Sequence, residues 1–335
     1  MAACLETPPL VIPSHLELIS STNAGRNLVT CTRAAAGTVV LNALAFCHVI
    51  HQRFRKHTCD ACYAFTSIDG RDLPFPCEGT CGVHYCSSVC RDAKKARHSK
   101  VCSLTNLGSK SRSKSSKKSD KTLETGINLL LSAISNDVPL SYLVNQLGED
   151  DESISTPGKS KRLSSYTSAE VSLRKLLPCP LPQGSYSKAL STSHFNAVGL
   201  YDEYGSETGY LLSPLMALVN HSCLPNCCQV VENGRVFLKA LRDIEVGEEL
   251  SYSYVSIGLD SDRRKSILDN WGFTCGCYRC RIEIQSGEKT TNSELETFDE
   301  RHVCCCGAVS FEVERNRGGE GEEEDCVCHI AGIIM

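Results

Sequence analysis

Between residues 59 and 102, seven cysteines and one histidine recur in four short pairs: Cys59-x2-Cys62, Cys77-x3-Cys81, Cys86-x3-Cys90 and His98-x3-Cys102. No other feature of the 335-residue chain restricts its folding as strongly. Short pair spacings let two ligands chelate one ion from a single turn, and soft thiolates with one imidazole suit tetrahedral zinc, here in enough number for two ions. Disulfides are the competing use of the 22 cysteines. They need an oxidising compartment, and the start MAACLETPPLVIPSH lacks the basic region and long apolar core of a secretory signal. The segment is too short and polar for a good core, so metal binding would supply its folding free energy. His98 and Cys102 stand four residues apart, which puts both on one face if the backbone is helical there.

The rest of the chain reads as globular. It is 41% hydrophobic and 22% charged, with a net charge of −4, so it is not a polyelectrolyte made for nucleic acid. No apolar run approaches the ~18 residues of a membrane span, and the length suits one large domain or two modest ones. Residues 17–50 alternate apolar runs with turn signals and read as short strands, with a Gly-bearing turn at 23–27. Residues 108–121, GSKSRSKSSKKSDK, cannot bury enough apolar area to fold. They read as a solvated loop, with nuclear import or nucleic-acid contact as the lesser reading. Leu123, Ile127, Leu130, Leu131 and Ile134 predict a helix within 122–147, broken or restarted at Pro139. The Ser-rich, acidic stretch 148–168 reads as another loop. RVFLKALRDI reads as strand then turn, and EVGEELSYSYV as turn then strand. From residue 281 the sequence is thin and polar. Its tail carries the solvated run GEGEEED and Cys304, Cys305, Cys306, Cys326 and Cys328, a further zinc site or, preferred, a disordered segment.

A second constellation lies apart from the first. Cys275-x-Cys277-x2-Cys280 follows Trp271-Gly272-Phe273. Three thiolates need a fourth ligand to close a zinc site, and none is near in sequence. Cys223, inside NHSCLPN (220–226), is the candidate. If it closes the site, the chain after residue 270 folds back over 220–226.

The first cluster resembles the MYND finger, chiefly in HYCSSVC (84–90) and HSKVC (98–102). The resemblance implies a cross-brace: Cys59, Cys62, Cys86 and Cys90 on one zinc, Cys77, Cys81, His98 and Cys102 on the other. Two departures fall at Cys77. The gap after Cys62 is fourteen residues, and the second pair has three residues between its cysteines where two are usual, leaving His84 as a substitute ligand. NHSCLPN, GEELSYSY (247–254) and CGCYRC (275–280) resemble the core, catalytic-strand and post-SET motifs of SET-domain protein-lysine methyltransferases. The whole layout is similar to the SET-and-MYND (SMYD) family over roughly residues 15–280.

That resemblance implies an α+β, mainly β fold with a pseudoknot. Residues 15–58 would be the N-terminal SET part, 59–102 the finger, 103–170 a linker with a helical insert, 171–258 the C-terminal SET core, 259–285 the post-SET zinc segment and 286–335 a disordered tail. No helical C-terminal lobe is expected. The implied cofactors are S-adenosylmethionine and three zinc ions. Ala24, Gly25 and Arg26 match the N-terminal cofactor loop. Asn27 stands at its usual second Gly and would keep the turn because Asn tolerates positive φ. Asn196, Asn220, His221, Tyr254 and Phe273 match further cofactor contacts, Asn220 and His221 largely through their backbone. Ala217 replaces a frequent Ser. Pro225 and Asn226 would make the exit turn of the knot. Tyr254 is the implied catalytic residue, and Tyr252 is placed in the lysine channel. The implied substrate is a protein lysine, histone or other. Proline-rich peptides would be partners of the finger, and nucleic acid or membrane would not. Location would be the nucleus, the cytoplasm or both. The competing function is a catalytically weak SET-fold adaptor, supported by Asn27 and Ala217.

Overall fold

The structure is a computed structural model that describes residues 10–21, 25–66, 70–79, 81–105, 121–136, 159–176, 182–202, 206–232 and 234–286. It opens with the hairpin β1 (Leu16–Ser21) and β2 (Gly25–Thr30), followed by β3 (Val39–Leu44) and β4 (Cys47–Ile50). Ser21 pairs with Gly25, whose φ of 65° lies in the left-handed region that glycine enters without a Cβ penalty. Asn27 does not share that conformation. It sits inside β2 opposite Ile19, and among the described residues Tyr63 alone has a positive φ without being glycine. The hairpin therefore does not rest on Asn27 tolerating a positive φ. Ala24 lies outside the described residues.

The finger follows, with β5 (Phe75–Pro76), β6 (His84–Tyr85) and α1 (Ser88–Ser99). Next come α2 (Lys121–Ser135), α3 (Lys159–Leu176) and α4 (Ser185–Asn196), then β7 (Ala197–Tyr201) and β8 (Glu207–Leu212). The chain closes with β9 (Asn220–His221), β10 (Cys227–Glu232), β11 (Arg235–Ala240), β12 (Ser251–Tyr252), α5 (Ser261–Leu268) and α6 (Tyr278–Ser286).

Small antiparallel sheets, β10-β11-β3 and β4-β8-β7, surround one apolar core that includes Leu28, Leu41, Val198, Leu218, Val236, Leu238 and Leu250. A second core lies where α2, α3 and α4 cover the other side of β4 and β8, with Leu129, Leu130, Tyr166, Leu173, Tyr186 and Leu190. Ile50 belongs to the first core, Cys47 and Val49 to the second, so β4 is buried along its whole length. A strand covered on both faces loses polar alternation.

The helical insert departs from expectation. The helix within 122–147 ends at Ser135, and residues 137–158 lie outside the described residues. The stretch 148–168 is not all loop, because α3 starts at Lys159 and runs through the expected boundary at 170. α4 carries no clear apolar stripe. Its N-terminus is held by Glu170 of α3, which accepts Gly184 N at 2.7 Å, Ser187 N at 3.1 Å and Ser187 Oγ at 2.8 Å. A carboxylate at a helix N-terminus meets both unpaired N–H groups and the positive dipole end. Because the cap comes from another helix, local sequence does not announce it. The basic loop 108–121 lies outside the described residues except Lys121. So do the tail cysteines and residues 287–335, where the expected absence of a helical lobe falls.

Candidate active site and metal centres

Among the described residues, three ligand sets form. They are Cys59, Cys62, Cys86 and Cys90; Cys77, Cys81, His98 and Cys102; and Cys223, Cys275, Cys277 and Cys280, each with its ligand atoms within 4.8 Å of one another. Sulfur pairs in them are 3.6 to 3.9 Å apart. A disulfide needs about 2.05 Å, whereas a tetrahedral zinc with ~2.3 Å bonds places its sulfurs about 3.8 Å apart. Spacing and donor type both fit zinc.

In the finger, Ser87 caps α1 by accepting Cys90 N at 3.1 Å, which aims the first turn at the first set. Cys102 lies beyond α1, but its N–H bonds His98 O at 2.9 Å, so one more helical turn brings both ligands together. His98 Nε2 lies 3.2 Å from Cys81 Sγ. The wide Cys77–Cys81 pair is accommodated by Gly79, where an added Cβ would fall 2.4 Å from Cys102 Sγ. Cys77 occupies its expected set, and His84 spends Nδ1–H on Leu73 O at 2.8 Å instead.

The third set joins segments more than fifty residues apart, since Cys223 lies 3.9 Å from Cys275 and 3.6 Å from Cys280. The chain after residue 270 thus lies against 220–226. β9 pairs in parallel with β12, Asn220 opposite Ser251 and His221 opposite Tyr252. Asn220 Nδ2 donates to Glu249 Oε1 at 2.9 Å. Asn226, at the bend before β10, is 2% exposed. Its amide donates to Glu249 O at 2.7 Å and its Oδ1 accepts Ser251 N at 2.9 Å. It clamps the strand leading to Tyr254, a role reached only when distant chain arrives beside it.

Tyr254 Oη donates to Val219 O at 2.8 Å, and Tyr254 N donates to His221 Nδ1 at 3.0 Å. An Nδ1 that accepts leaves the ring proton on Nε2, which faces Cys223 Sγ at 3.2 Å. The ring centroids of Tyr252, Trp271 and His221 lie 4.9, 5.2 and 5.2 Å from that of Tyr254. Phe273 lies 5.9 Å from His221. Trp271 was not singled out from the sequence, and an aromatic before a known motif carries no local signal of that contact. Burial, with the nearby Glu249 carboxylate, holds the Tyr254 phenol above its ordinary range. Burial, then the neighbouring Tyr254 and Tyr201, does the same for Tyr252. Both remain hydroxyls at neutral pH. Asn196 ends α4 with Nδ2 donating to Thr192 O at 2.8 Å, and Ala217 is partly buried against the helical core.

The N-terminal loop fits a ligand approaching its backbone. A Cβ placed on Gly25 would meet no atom within 4 Å, and Arg26 follows at the start of β2. Asn27 is 4% exposed, yet its Oδ1 has no hydrogen-bond partner. A buried acceptor without a donor is costly.

The sequence matches the SET domain over residues 25–255. It is 24% identical to human histone-lysine N-methyltransferase SMYD3, over 84% of this chain and 65% of that protein. It is 26% identical to Arabidopsis thaliana histone-lysine N-methyltransferase ASHR2, over 90% and 79%. It is also 26% identical to Xenopus laevis N-lysine methyltransferase SMYD2-A, over 83% and 63%. The chain thus spans about two thirds of the length of most of these relatives. Among solved structures, the SET domain of LSMT bound to lysine and AdoHcy aligns over 73% of this chain and 51% of that chain, with 16% identity and a TM-score of 0.32.

Proposed function

We propose, because this chain belongs to the SET domain family, that it is an S-adenosylmethionine-dependent protein-lysine N-methyltransferase acting on a histone or other protein. The observation that carries this reading is the convergence of Asn220, His221, Tyr254 and Phe273 on one locus closed by Cys223. Gly25, Arg26, Asn196, Asn220, His221, Tyr254 and Phe273 would hold the cofactor. The cofactor supplies an electrophilic methyl group on a sulfonium. The protein's own work is to orient the amine. Tyr254 spends its hydroxyl proton on Val219 O, so its oxygen is left to accept an N–H from the incoming lysine. Tyr252 and Trp271 beside it give an aromatic wall. A narrow apolar channel with the cationic sulfonium of the bound cofactor at its far end would disfavour the ammonium form of a lysine whose free pKa is about 10.4. Alignment of nitrogen and methyl then does most of the work.

Calorimetric titration of the zinc-loaded protein with S-adenosylmethionine tests the reading, followed by methyl transfer to peptide arrays with Tyr254→Phe as control. Binding with transfer lost in the variant is expected. Absence of cofactor binding in protein that retains its metal would favour the adaptor reading, which rests on Asn27 in place of a glycine and Ala217 in place of a serine. The finger's partner class is a proline-rich peptide, as the MYND resemblance implies, and fluorescence anisotropy with labelled proline-rich peptides checks it. Residence in the nucleus, the cytoplasm or both fits the composition and is checked by cell fractionation.

A further inference from the structure

Residues of the finger helix α1, the insert helix α2 and β4 line a cavity of about 50 Å³. That exceeds the roughly 10–15 Å³ that one water needs and suits a small tetrahedral ion. Its walls follow from helical spacing. Lys94, Arg97 and His98 stand three and four residues apart, on one face of α1. Asn128, Ser132 and Ser135 repeat that spacing on α2, while Leu129, Leu130 and Ala133 of the same helix are buried in the second core. An otherwise apolar helix thus keeps a polar stripe for the side where the basic helix lies. His48, Arg55 and Asp60 complete the wall.

The groups around the cavity are mixed in sign. Arg91 and Lys95 of α1 pair with Asp92 and Glu78, but Lys94 and Arg97 form no ion pair among the described residues. Arg55 adds a positive charge. Asp60 adds a negative one, its Oδ1 accepting from His48 Nε2 at 2.9 Å. With zinc in place, the set of Cys77, Cys81, His98 and Cys102 adds one more negative charge. Three cations therefore face two negative charges. Ser132 Oγ accepts His48 N at 3.0 Å and keeps its own proton to donate. Asn128 is 6% exposed, and its Oδ1 has no donor, a costly state for a buried acceptor. The cationic donors call for an oxyanion. Asn128 and Asp60 beside them call for one that keeps a hydrogen.

We propose that this seam is a binding site for hydrogen phosphate. Lys94, Arg97 and the Ser132 hydroxyl hold its oxygens, and Asn128 Oδ1, turned to the cavity, accepts its P–OH. Inorganic phosphate keeps at least one such hydrogen at neutral pH. Sulfate has none, and a phosphorylated side chain has given up most of its second proton. The bound ion ties the finger, the helical insert and the SET core to one another. The site lies on elements other than those that carry Tyr254, and the proposal stands whether or not the chain transfers methyl groups.

Calorimetric titration of the zinc-loaded full chain with inorganic phosphate, sulfate and a capped phosphoserine, at one ionic strength, tests it. One phosphate binds per chain, at least about tenfold tighter than either competitor, the scale of one hydrogen bond to a charged partner. Asn128→Leu brings phosphate down to the level of sulfate. Lys94→Met weakens phosphate and sulfate alike by about tenfold. No saturable phosphate binding would overturn the proposal and leave a seam that holds water. Sulfate bound as tightly as phosphate, or phosphate affinity unchanged in Lys94→Met, would overturn it as well. Phosphoserine bound more tightly than phosphate would replace the free ion with a phosphorylated partner. Should Asn128→Leu fail to fold, Lys94→Met and the wild-type preference for phosphate over sulfate still decide.

Discussion

The finger draws its eight ligands from residues 59–102, whereas the post-SET site joins Cys223 to cysteines 52 and 57 residues further on. The finger has a small core of its own, Cys59, Leu73, Cys81, Val83 and Tyr85. The core at the post-SET site is Cys223, Val255 and Leu268, with Tyr254 and Phe273 packed against it. The same chemistry therefore does two jobs. In the finger, metal supplements a core that the short segment can build only in small part. In the post-SET segment, it closes a long loop over the proposed catalytic tyrosine and orders that loop as well as its own ligands. Loss of metal should be tolerated by the active site in the first case and not in the second.

The largest expected effect separates the two directly. Cys275→Ser should weaken S-adenosylmethionine binding and transfer at least ~100-fold, as expected when a ligand of a metal that supplies folding energy is removed. Cys77→Ser should unfold the finger while leaving cofactor affinity close to wild type. Calorimetry on both variants checks this, and equal losses would dissolve the distinction. Next is Tyr254→Phe, with transfer down about 10²–10³-fold, the scale for losing one positioned polar group, and cofactor binding retained. Wild-type kcat/KM should climb with pH toward the free amine's value of about 10.4, while kcat levels off at lower pH because the site disfavours the bound ammonium. It should show no descending limb from phenolate before that, because burial holds Tyr254 above its ordinary range.

A third prediction concerns the seam between finger and SET core. Arg55 is 5% exposed and donates to Ile50 O, Cys81 O and Thr105 O at 3.3, 3.1 and 3.3 Å. Arg55→Met should cost about 3 kcal/mol in urea unfolding, since buried carbonyls lose a charged donor. A smaller effect confined to the finger would show that it rides loosely on the core. The smallest effect lies in the helical insert. Burial alone would raise the Glu170 carboxyl, but Ser187, the Gly184 amide and Arg174 outweigh it and hold it below its ordinary value. Its contribution is present above the unfolded value of about 4.3 and is lost as pH falls through the lower folded value. Glu170→Gln should therefore cost about 1–2 kcal/mol at neutral pH, a difference that shrinks on acidification below pH ~4 and is measured by melts across that range.

The legible parts of the molecule were those whose cause is local. The regular pairs of the finger, the turn at Gly25, the β11 strand in RVFLKALRDI and the need of Cys275, Cys277 and Cys280 for a fourth thiolate can be read from short spacings. The less legible parts depend on what arrives from elsewhere. α3 and α4 lack a strong stripe and form because Glu170 caps one from the other and Tyr166, Leu173 and Tyr186 share a core. Asn226 reads as a turn residue until residues 248–251 return to meet it.

The sequence by itself determined the kinds of ligand, their pairing distances along the chain and the motifs that would carry a cofactor and a lysine. The ligand kinds and spacings are matters of donor chemistry and short-range geometry, which a few residues fix, whereas the cofactor and lysine motifs are implied by the resemblance to the SET family. The tertiary structure decided that the His221 ring sits between Tyr254 N and Cys223 Sγ, that Trp271 walls the site and that Arg279 spans Glu283 and Ile257 O. Each of these depends on a contact between segments brought together only when the knot closes. Their pairing is then set by burial, where an unmatched charge or polar atom costs far more than it does in water.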